Sequence, residues 1–113
     1  MKMIMALIEP QKFPEVRQAL FDIDVRGMTV SSAMGCSREV GFTESYRGVD
    51  VDMYLFKKVR LEIAVSDDRV EPVVEAICRS ARMDLPRTHG MIFVYELCDA
   101  VKVTGERGVS VII

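Results

Sequence analysis

The chain has one histidine, three cysteines and no long apolar run, and each shortage argues against a class of protein. His89 stands alone, and no cysteine lies at metal-ligand spacing from it, so the residues indicate neither a zinc site nor a Ser/His/Asp or Cys/His catalytic set. Cys36, Cys78 and Cys98 are an odd number with no close pair. That pattern is typical of free thiols in a reducing compartment rather than of a disulfide framework.

An excess of one charge sign is also lacking. The chain carries 15 Lys and Arg against 17 Asp and Glu, a formal net charge of −2, so a nucleic-acid partner is not expected. No apolar stretch reaches the ~20 residues needed to cross a bilayer. The apolar start of the chain ends before Pro10 and is too short for a secretory signal. We therefore expect a soluble cytoplasmic protein without membrane insertion.

Apolar residues are what the chain has in abundance, since 50% of its 113 residues are hydrophobic. A chain of this length forms one domain with a modest core, so residues 1–113 are expected to be a single domain. A domain this small has a large surface for its volume. Part of the apolar surface is therefore expected at a subunit interface, which predicts an oligomer.

Apolar periodicity predicts alternating strands and helices. Residues 1–8, MKMIMALI, are apolar at every position except Lys2, which is typical of a strand covered on both faces. Helical spacing follows over residues 13–23, and residues 28–34 form a second extended segment. Residues 57–65, KKVRLEIAV, alternate between apolar and mostly charged positions, which predicts a strand with one buried face.

The second half of the chain repeats this order. Asp68 and Glu71 have the spacing of a capping box, with Asp68 as the N-cap of a second apolar-striped helix. Residues 83–90 are expected to be a loop, residues 91–97 a strand and residues 100–104 a short extra strand. Two such units combine into an α+β fold, the ferredoxin-like βαββαβ sandwich with both helices on one face of an antiparallel sheet.

The connection between the second and third strands is unusually long and polar. A structureless connection near ~20 residues in a compact domain is usually functional, although a charged loop can also be only a solvated surface. At its start, backbone amides and an arginine suit an anion, which is a weak phosphate-binding pattern in Gly35, Cys36, Ser37 and Arg38.

Several segments of the chain resemble the PII nitrogen-regulatory signalling family, without gaps from Met1 to about Arg82. They are MKMIMALIEPQKFPEVRQAL, GMTV, GFTESYRGVDV and VRLEIAVSDDRVEPVVEAICRSAR, followed later by IFV and TGE. The YRG motif after a GxTE segment and the DD pair that opens the second helix are the specific features. This resemblance implies the ferredoxin-like fold, a homotrimer, and a nucleotide held in the clefts between subunits.

The resemblance also gives a role to the polar connection. Residues from about 37 to 56 correspond to the family's T-loop, which contacts partner proteins such as a membrane transporter or a nitrogen-metabolism enzyme. Partner contacts would come from Tyr46, Arg47 and Gly48. Relatives that are uridylylated carry YRGAEY, whereas this chain reads YRGVDV, and Val51 has no hydroxyl to modify. Signal transduction without uridylylation is therefore expected.

Nucleotide contacts are implied at ten positions. They are Leu7, Thr29, Gly35, Cys36, Ser37, Arg38, Ala64, Arg87, Gly90 and Lys102. They involve a B-loop-like segment at 83–90 and a C-terminal segment at 100–113. Relatives bring GDGK and the arginines of RxRTG to the phosphates, but this chain has RTHGM and VKVTG. Each lost charge-assisted contact is worth roughly 1.5–3 kcal/mol, so among ATP, ADP and AMP the loss is expected to be largest for ATP.

Two further positions concern an effector. Glu39 replaces the glutamine that holds Mg²⁺ in relatives that sense 2-oxoglutarate, and Lys58 matches the lysine that meets the ligand carboxylate. A glutamate still suits Mg²⁺. It also repels a dianion by about 1–4 kcal/mol at contact distance. The use of Mg²⁺ and the sensing of 2-oxoglutarate therefore stay open.

Three alternatives differ in functional class. The first is a PII-like trimer that senses another small anion, such as bicarbonate or AMP, and regulates a transporter other than an ammonium channel. The second is a small enzyme on the same sandwich, but no paired acid/base or nucleophile set is present, so no catalytic residue is assigned. The third is a trimeric metal-binding relative, for which the sequence offers no ligand set.

Overall fold

A computed structural model of the chain describes residues 1–36, 42–46, 49–53, 55–83 and 90–112, with backbone pairing alone for 42–46 and 49–53. The helices and strands follow one another in the order β1 (Lys2–Ile8), α1 (Phe13–Asp22), β2 (Thr29–Cys36), β3 (Phe42–Tyr46), β4 (Val49–Met53), β5 (Leu55–Val65), α2 (Val70–Ala81) and β6 (Met91–Glu96). No helix in the described part of the chain is long and apolar enough to span a membrane.

Four strands form the main sheet in the order β2-β5-β1-β6, and every neighbouring pair is antiparallel. The strands nearest the middle, β1 and β5, are those whose sequences alternate or are apolar on both faces. With two helices packed on the sheet, this arrangement confirms the predicted ferredoxin-like α+β fold.

The core lies between the helices and one face of the sheet. Ile4 pairs with Ile63, and Ala6 pairs with Leu61, so side chains from β1 and β5 meet the helices side by side. The helices bury residues three and four apart along one stripe, which are Val16 and Leu20 of α1 and Val73, Ala76, Ile77 and Ala81 of α2. All of these side chains are buried. Among the described residues of one chain, no second layer of helices or strands covers the other face of the sheet.

The predicted capping box at the start of α2 is wrong. A 3-10 turn over Asp67–Arg69 precedes the helix, and α2 begins at Val70 without a side-chain cap. Asp68 instead accepts a hydrogen bond of 2.6 Å from the hydroxyl of Ser66. Because its carboxylate is engaged there, Asp68 does not bind the free backbone N–H groups of the first helical turn.

The long polar connection contains regular structure that periodicity did not reveal. β3 pairs with β4 as a two-stranded antiparallel sheet, from Phe42 opposite Met53 to Tyr46 opposite Val49. The main sheet also continues further than predicted, because β2 and β5 stay paired to Cys36 and Leu55. The expectation of a structureless connection is therefore wrong for the described residues.

The short C-terminal strand expected at 100–104 consists of one bridge pair, between Val101 and Arg107. Asp99 holds this turn together: its Oδ2 accepts a bond of 3.0 Å from Nε of Arg107, and its Oδ1 accepts one of 2.9 Å from the Ala100 amide. The Arg107 guanidinium, followed by the Ala100 N–H, keeps the pKa of Asp99 below its ordinary value of 3.8. Side-chain hydrogen bonds of Asp99, which we call the Asp99 clasp, thus stabilise this turn in place of a ladder of backbone hydrogen bonds.

Gly90 meets the sheet at a distance that no other residue would allow. Its φ is +90°, and a Cβ on it would lie 2.0 Å from the carbonyl oxygen of Leu7. Gly35 is different, because a Cβ there would lie 3.6 Å from Cγ of Lys58, an ordinary contact. Gly90 is thereby the position at which the chain re-enters the sheet next to β1.

We expect Gly90→Ala to destabilise the protein by about 1–3 kcal/mol, the cost of left-handed strain, or more if the backbone must move. Gly35→Ala is the matched control and should cost less, because its Cβ has room. Urea unfolding of the two variants checks this expectation. Equal midpoints for Gly90→Ala and Gly35→Ala would contradict it.

The Asp99 clasp should depend on pH. Because its folded pKa is lower than its unfolded one, the stabilisation is present above about pH 3.8 and is lost as the pH falls through the folded pKa. Asp99→Asn should weaken amide-exchange protection of Gly108 near neutral pH, with the difference from the unmodified protein shrinking in acid. Asp22→Asn is the control, because Asp22 forms no ion pair with any residue that the structure describes. A difference of constant size at every pH would refute this expectation.

Candidate functional site

The face of the sheet opposite the helices is open to solvent, and the half of it formed by β1 and β6 is apolar. Strand alternation turns Met3, Met5 and Leu7 of β1 towards it, and β6 places aromatic side chains beside them. Phe93 pairs with Met5 and is 46% exposed, and Tyr95 pairs with Met3 and is 47% exposed. Single exposed apolar residues are ordinary, but a contiguous apolar sheet face indicates a surface that another chain covers.

Towards one end of the sheet, four of the residues implied in nucleotide or effector binding form two contacting pairs. Leu7 approaches Gly90 through its backbone, and Gly35 packs against the aliphatic stem of Lys58. Leu7 and Gly90 also line an apolar cavity of about 440 Å³ beside the last turn of α2. Cys36 ends β2 at the same end of the sheet, opposite Leu55, with its side chain exposed.

Thr29 and Ala64 lie at the opposite end of the sheet. Thr29 pairs with Glu62, and Ala64 pairs with Met3, so both border one cavity of about 490 Å³. Val111 and Ile112 of the C-terminal segment also line this cavity. Lys102 lies in the turn closed by Asp99, with its backbone N–H bonded to the Glu106 carbonyl at 2.8 Å. Lys102 is exposed to solvent.

The two groups do not meet within one chain. Leu7 and the Met3 partner of Ala64 are four residues apart on β1, which corresponds to roughly 13 Å at strand spacing. Each group therefore offers part of a binding surface at its own end of the sheet. A nucleotide that contacted both groups would have to span this distance along one chain or take the two groups from neighbouring subunits.

The remaining predicted site residues fall outside the described structure, wholly or in their side chains. Tyr46 is described by its backbone pairing with Val49 alone. The positions beyond the described residues are Ser37, Arg38, Glu39, Arg47, Gly48 and Arg87. In the parts of the chain that the structure does describe, no group of three or more His, Cys, Asp or Glu side chains is placed to hold a metal ion.

Lys58 has a partner that sequence reasoning missed. Its ammonium donates to Oε1 of Glu9, and the two side chains are only 14% and 13% exposed. Glu9 follows β1 directly and continues the alternation of Met5 and Leu7, so it lies on the open side of the sheet. The alternation along β1 could have predicted that Glu9 lies on the open side. The change from apolar to acidic side chains at the end of the strand made the pattern hard to recognise.

Elsewhere on this face the charges are paired more loosely. Arg60 donates from Nε to the hydroxyl of Ser31 at 3.1 Å and lies 3.4 Å from Oε1 of Glu62. These side chains are more exposed than the Glu9–Lys58 pair, so their attraction is largely screened by water. The partly buried Lys58 and its partner Glu9 are therefore the charged feature that most affects ligand chemistry at this end of the sheet.

Comparison with known proteins gives one consistent result. The sequence profile of the family described as "Nitrogen regulatory protein P-II" matches residues 1–107. Proteins with that name from Rhizobium etli and Rhodospirillum rubrum are 43% and 41% identical to the chain over 107 and 109 residues. The alignments cover 94% and 96% of this chain, and 95% and 96% of those proteins. "Nitrogen regulatory protein P-II 2" of Methanothermobacter thermautotrophicus is 43% identical over 110 residues, which is 96% of this chain and 94% of that protein.

Members of this family are regulatory proteins rather than enzymes; they act in signal transduction, bind adenine nucleotides, form trimers and regulate partner proteins. The fold found here is the one that the family resemblance implied. With the profile match over residues 1–107 and relatives above 40% identity along almost their full length, the chain belongs to the P-II family of nitrogen regulatory proteins.

Proposed function

We propose that this chain is a homotrimeric P-II signal transducer that binds an adenine nucleotide between subunits and regulates a partner through residues 37–56. The observation that carries the proposal is the division of the implied nucleotide residues into two groups, around Leu7 and around Ala64. One chain holds them roughly 13 Å apart along β1. A trimer that places one end of each sheet against the other end of its neighbour would complete a nucleotide site in every cleft.

The open apolar face supports the trimer. It carries Met3, Met5, Phe93 and Tyr95, which gain cover if three sheets pack against one another. At about 25 cal/mol per Å² of apolar surface removed from water, burying such side chains provides a substantial driving force for association. Three exposed free thiols are also the form that a reducing compartment maintains, so we place the trimer in the cytoplasm.

Residues 37–56 are the proposed partner-binding segment, with Tyr46, Arg47 and Gly48 as the contacts. The β3–β4 pairing puts Tyr46 opposite Val49, and these two strands form a sheet of their own, separate from the main sheet. A hairpin can present side chains to another protein without altering the core. We propose a membrane transporter or a nitrogen-metabolism enzyme as the partner. Val51 has no hydroxyl, so the control would not act through uridylylation there.

The nucleotide contacts proposed from the resemblance keep fewer cations than relatives have. Met91 stands where relatives carry a lysine, and its side chain lies on the open apolar face, 58% exposed and paired with Leu7. Arg38 is the main proposed phosphate contact, with Arg87 and Lys102 as partial substitutes. Fewer positive charges lower affinity most for the ligand with the most phosphates.

A charge placed in the open sheet face should break the trimer. We expect the unmodified protein to sediment at three times the chain mass of 12.8 kDa, and Phe93→Glu to dissociate it. Phe21→Glu on α1 is the matched control, because Phe21 is equally exposed, 48% against 46% for Phe93, but lies on a helix. Sedimentation equilibrium decides the matter. A monomeric unmodified protein, or a trimeric Phe93→Glu variant, would refute the proposed assembly.

Calorimetry with AMP, ADP and ATP tests the proposed nucleotide site. We expect ADP or AMP to bind at least as tightly as ATP, because the triphosphate loses the most from the missing cations. Arg38→Ala should abolish adenylate binding, whereas Arg17→Ala on α1 should leave it unchanged. Micromolar ATP affinity with synergy from 2-oxoglutarate would refute the altered selectivity. The absence of binding by every adenylate would refute the nucleotide proposal itself.

A further inference from the structure

The Glu9–Lys58 ion pair differs from every other ion pair in the described part of the chain. Both of its side chains are less than one-fifth exposed, whereas each other pair has at least one partner exposed by two-fifths or more. Lys58 was implied as the residue that meets the carboxylate of an effector. In the structure it already meets a carboxylate, from its own chain.

We propose that Glu9 is a built-in ligand of Lys58 that occupies the position of an external carboxylate, so that this protein discriminates against dicarboxylate effectors. The inference rests on the proposed function, because it names the regulation of the same cleft. Under this proposal, the side chain of Glu9 determines which small molecules can bind Lys58. A ligand with a carboxylate must displace Glu9 or approach it with like charge.

The backbone holds Glu9 in place for this role. Its carbonyl accepts a bond of 3.0 Å from the Lys12 N–H, and Pro10 begins the 3-10 turn that follows it. The fixed φ of proline limits how far the segment can swing away. A tethered carboxylate is also spared the loss of translational freedom that a free ligand suffers on binding, so it competes at a high effective concentration.

Lys58 is equally constrained. Its aliphatic stem runs past Gly35, where the missing side chain leaves room for Cγ and Cε of the lysine at 3.6 and 3.8 Å from a notional Cβ. Of the three ammonium hydrogens, one bonds to Glu9, which neutralises the charge of the group. An approaching dianion then meets a neutral ion pair that includes a carboxylate, rather than a free cation.

The test compares three variants with the unmodified protein by calorimetry, with 2-oxoglutarate as the probe in the presence of Mg²⁺ and saturating nucleotide. We expect Glu9→Gln to bind 2-oxoglutarate at least tenfold more tightly than the unmodified protein. Adding Lys58→Met to Glu9→Gln should reverse the gain. Glu15→Gln is the matched control, because it removes the same charge from an exposed pair with Lys12 and should change nothing.

Two results would overturn the proposal. One is a Glu9→Gln variant that binds 2-oxoglutarate no more tightly than the unmodified protein. The other is a double variant, with Lys58→Met added, that binds as tightly as Glu9→Gln alone. The melting temperature and trimer mass of each variant are measured first, so that a folding defect is not read as a binding result.

A measurement on the unmodified protein keeps the proposal testable if Glu9→Gln does not fold. The side-chain ammonium signal of Lys58 in NMR spectra should stay in place when 2-oxoglutarate is added without nucleotide. A shift that saturates with 2-oxoglutarate would overturn the proposal for Glu9 and leave the trimer and the nucleotide site untouched. Failure of adenylates to bind would instead overturn the proposed function, and the Lys58 signal would still decide the role of Glu9.

Discussion

The central strand β1 has apolar side chains on both faces, and the two helices cover only one of them. Ile4, Ala6 and Ile8 are buried against the helices, while Met3 and Met5 face the open side. Because successive strand residues point to opposite faces, no shift of register can hide both sets in one chain. The apolar open face, the need for other subunits and the position of the candidate clefts all follow from this one constraint.

The same strand also separates the two halves of the candidate nucleotide site. Leu7 near its end and Met3 near its start pair with different elements, so the residues grouped around them lie at opposite ends of the sheet. A ligand site shared between subunits makes assembly and binding interdependent, because anything that binds the complete site stabilises the assembled form. In the proposed trimer the sheet would serve as both the core scaffold and the interface.

The Glu9–Lys58 ion pair shows how one residue, Glu9, can change the charge of a site while the fold stays the same. Glu9 and Lys58 are largely shielded from solvent, so removing either one would leave the charge of the other poorly compensated, and they stabilise each other only as a pair. Gly90 shapes the same region because the absence of a side chain lets it approach the Leu7 carbonyl, whereas Gly35 makes an ordinary contact with the Lys58 stem. The chemistry of this end therefore depends on three contacts between residues that are far apart in sequence.

The amino-acid sequence by itself determined the elements and the fold class. The alternation in residues 57–65 predicted β5, the helical spacing predicted α1 and α2, and their order predicted the ferredoxin-like sheet, because these signals are local and periodic. The motifs also indicated the family. The start of α2 was misjudged, because a side chain two residues away from Asp68 competes for its carboxylate.

Only the tertiary structure decided which residues meet. Glu9 and Lys58 are 49 positions apart, and no local pattern predicts that the β1–β5 pairing brings their side chains together. The close approach of Gly90 to Leu7 likewise depends on where β6 joins the sheet. Helical and strand periodicity depends only on neighbouring residues and can be recognised in the sequence. The contacts that determine the charge of a site and its accessibility to ligands depend on the register between strands that are distant in sequence.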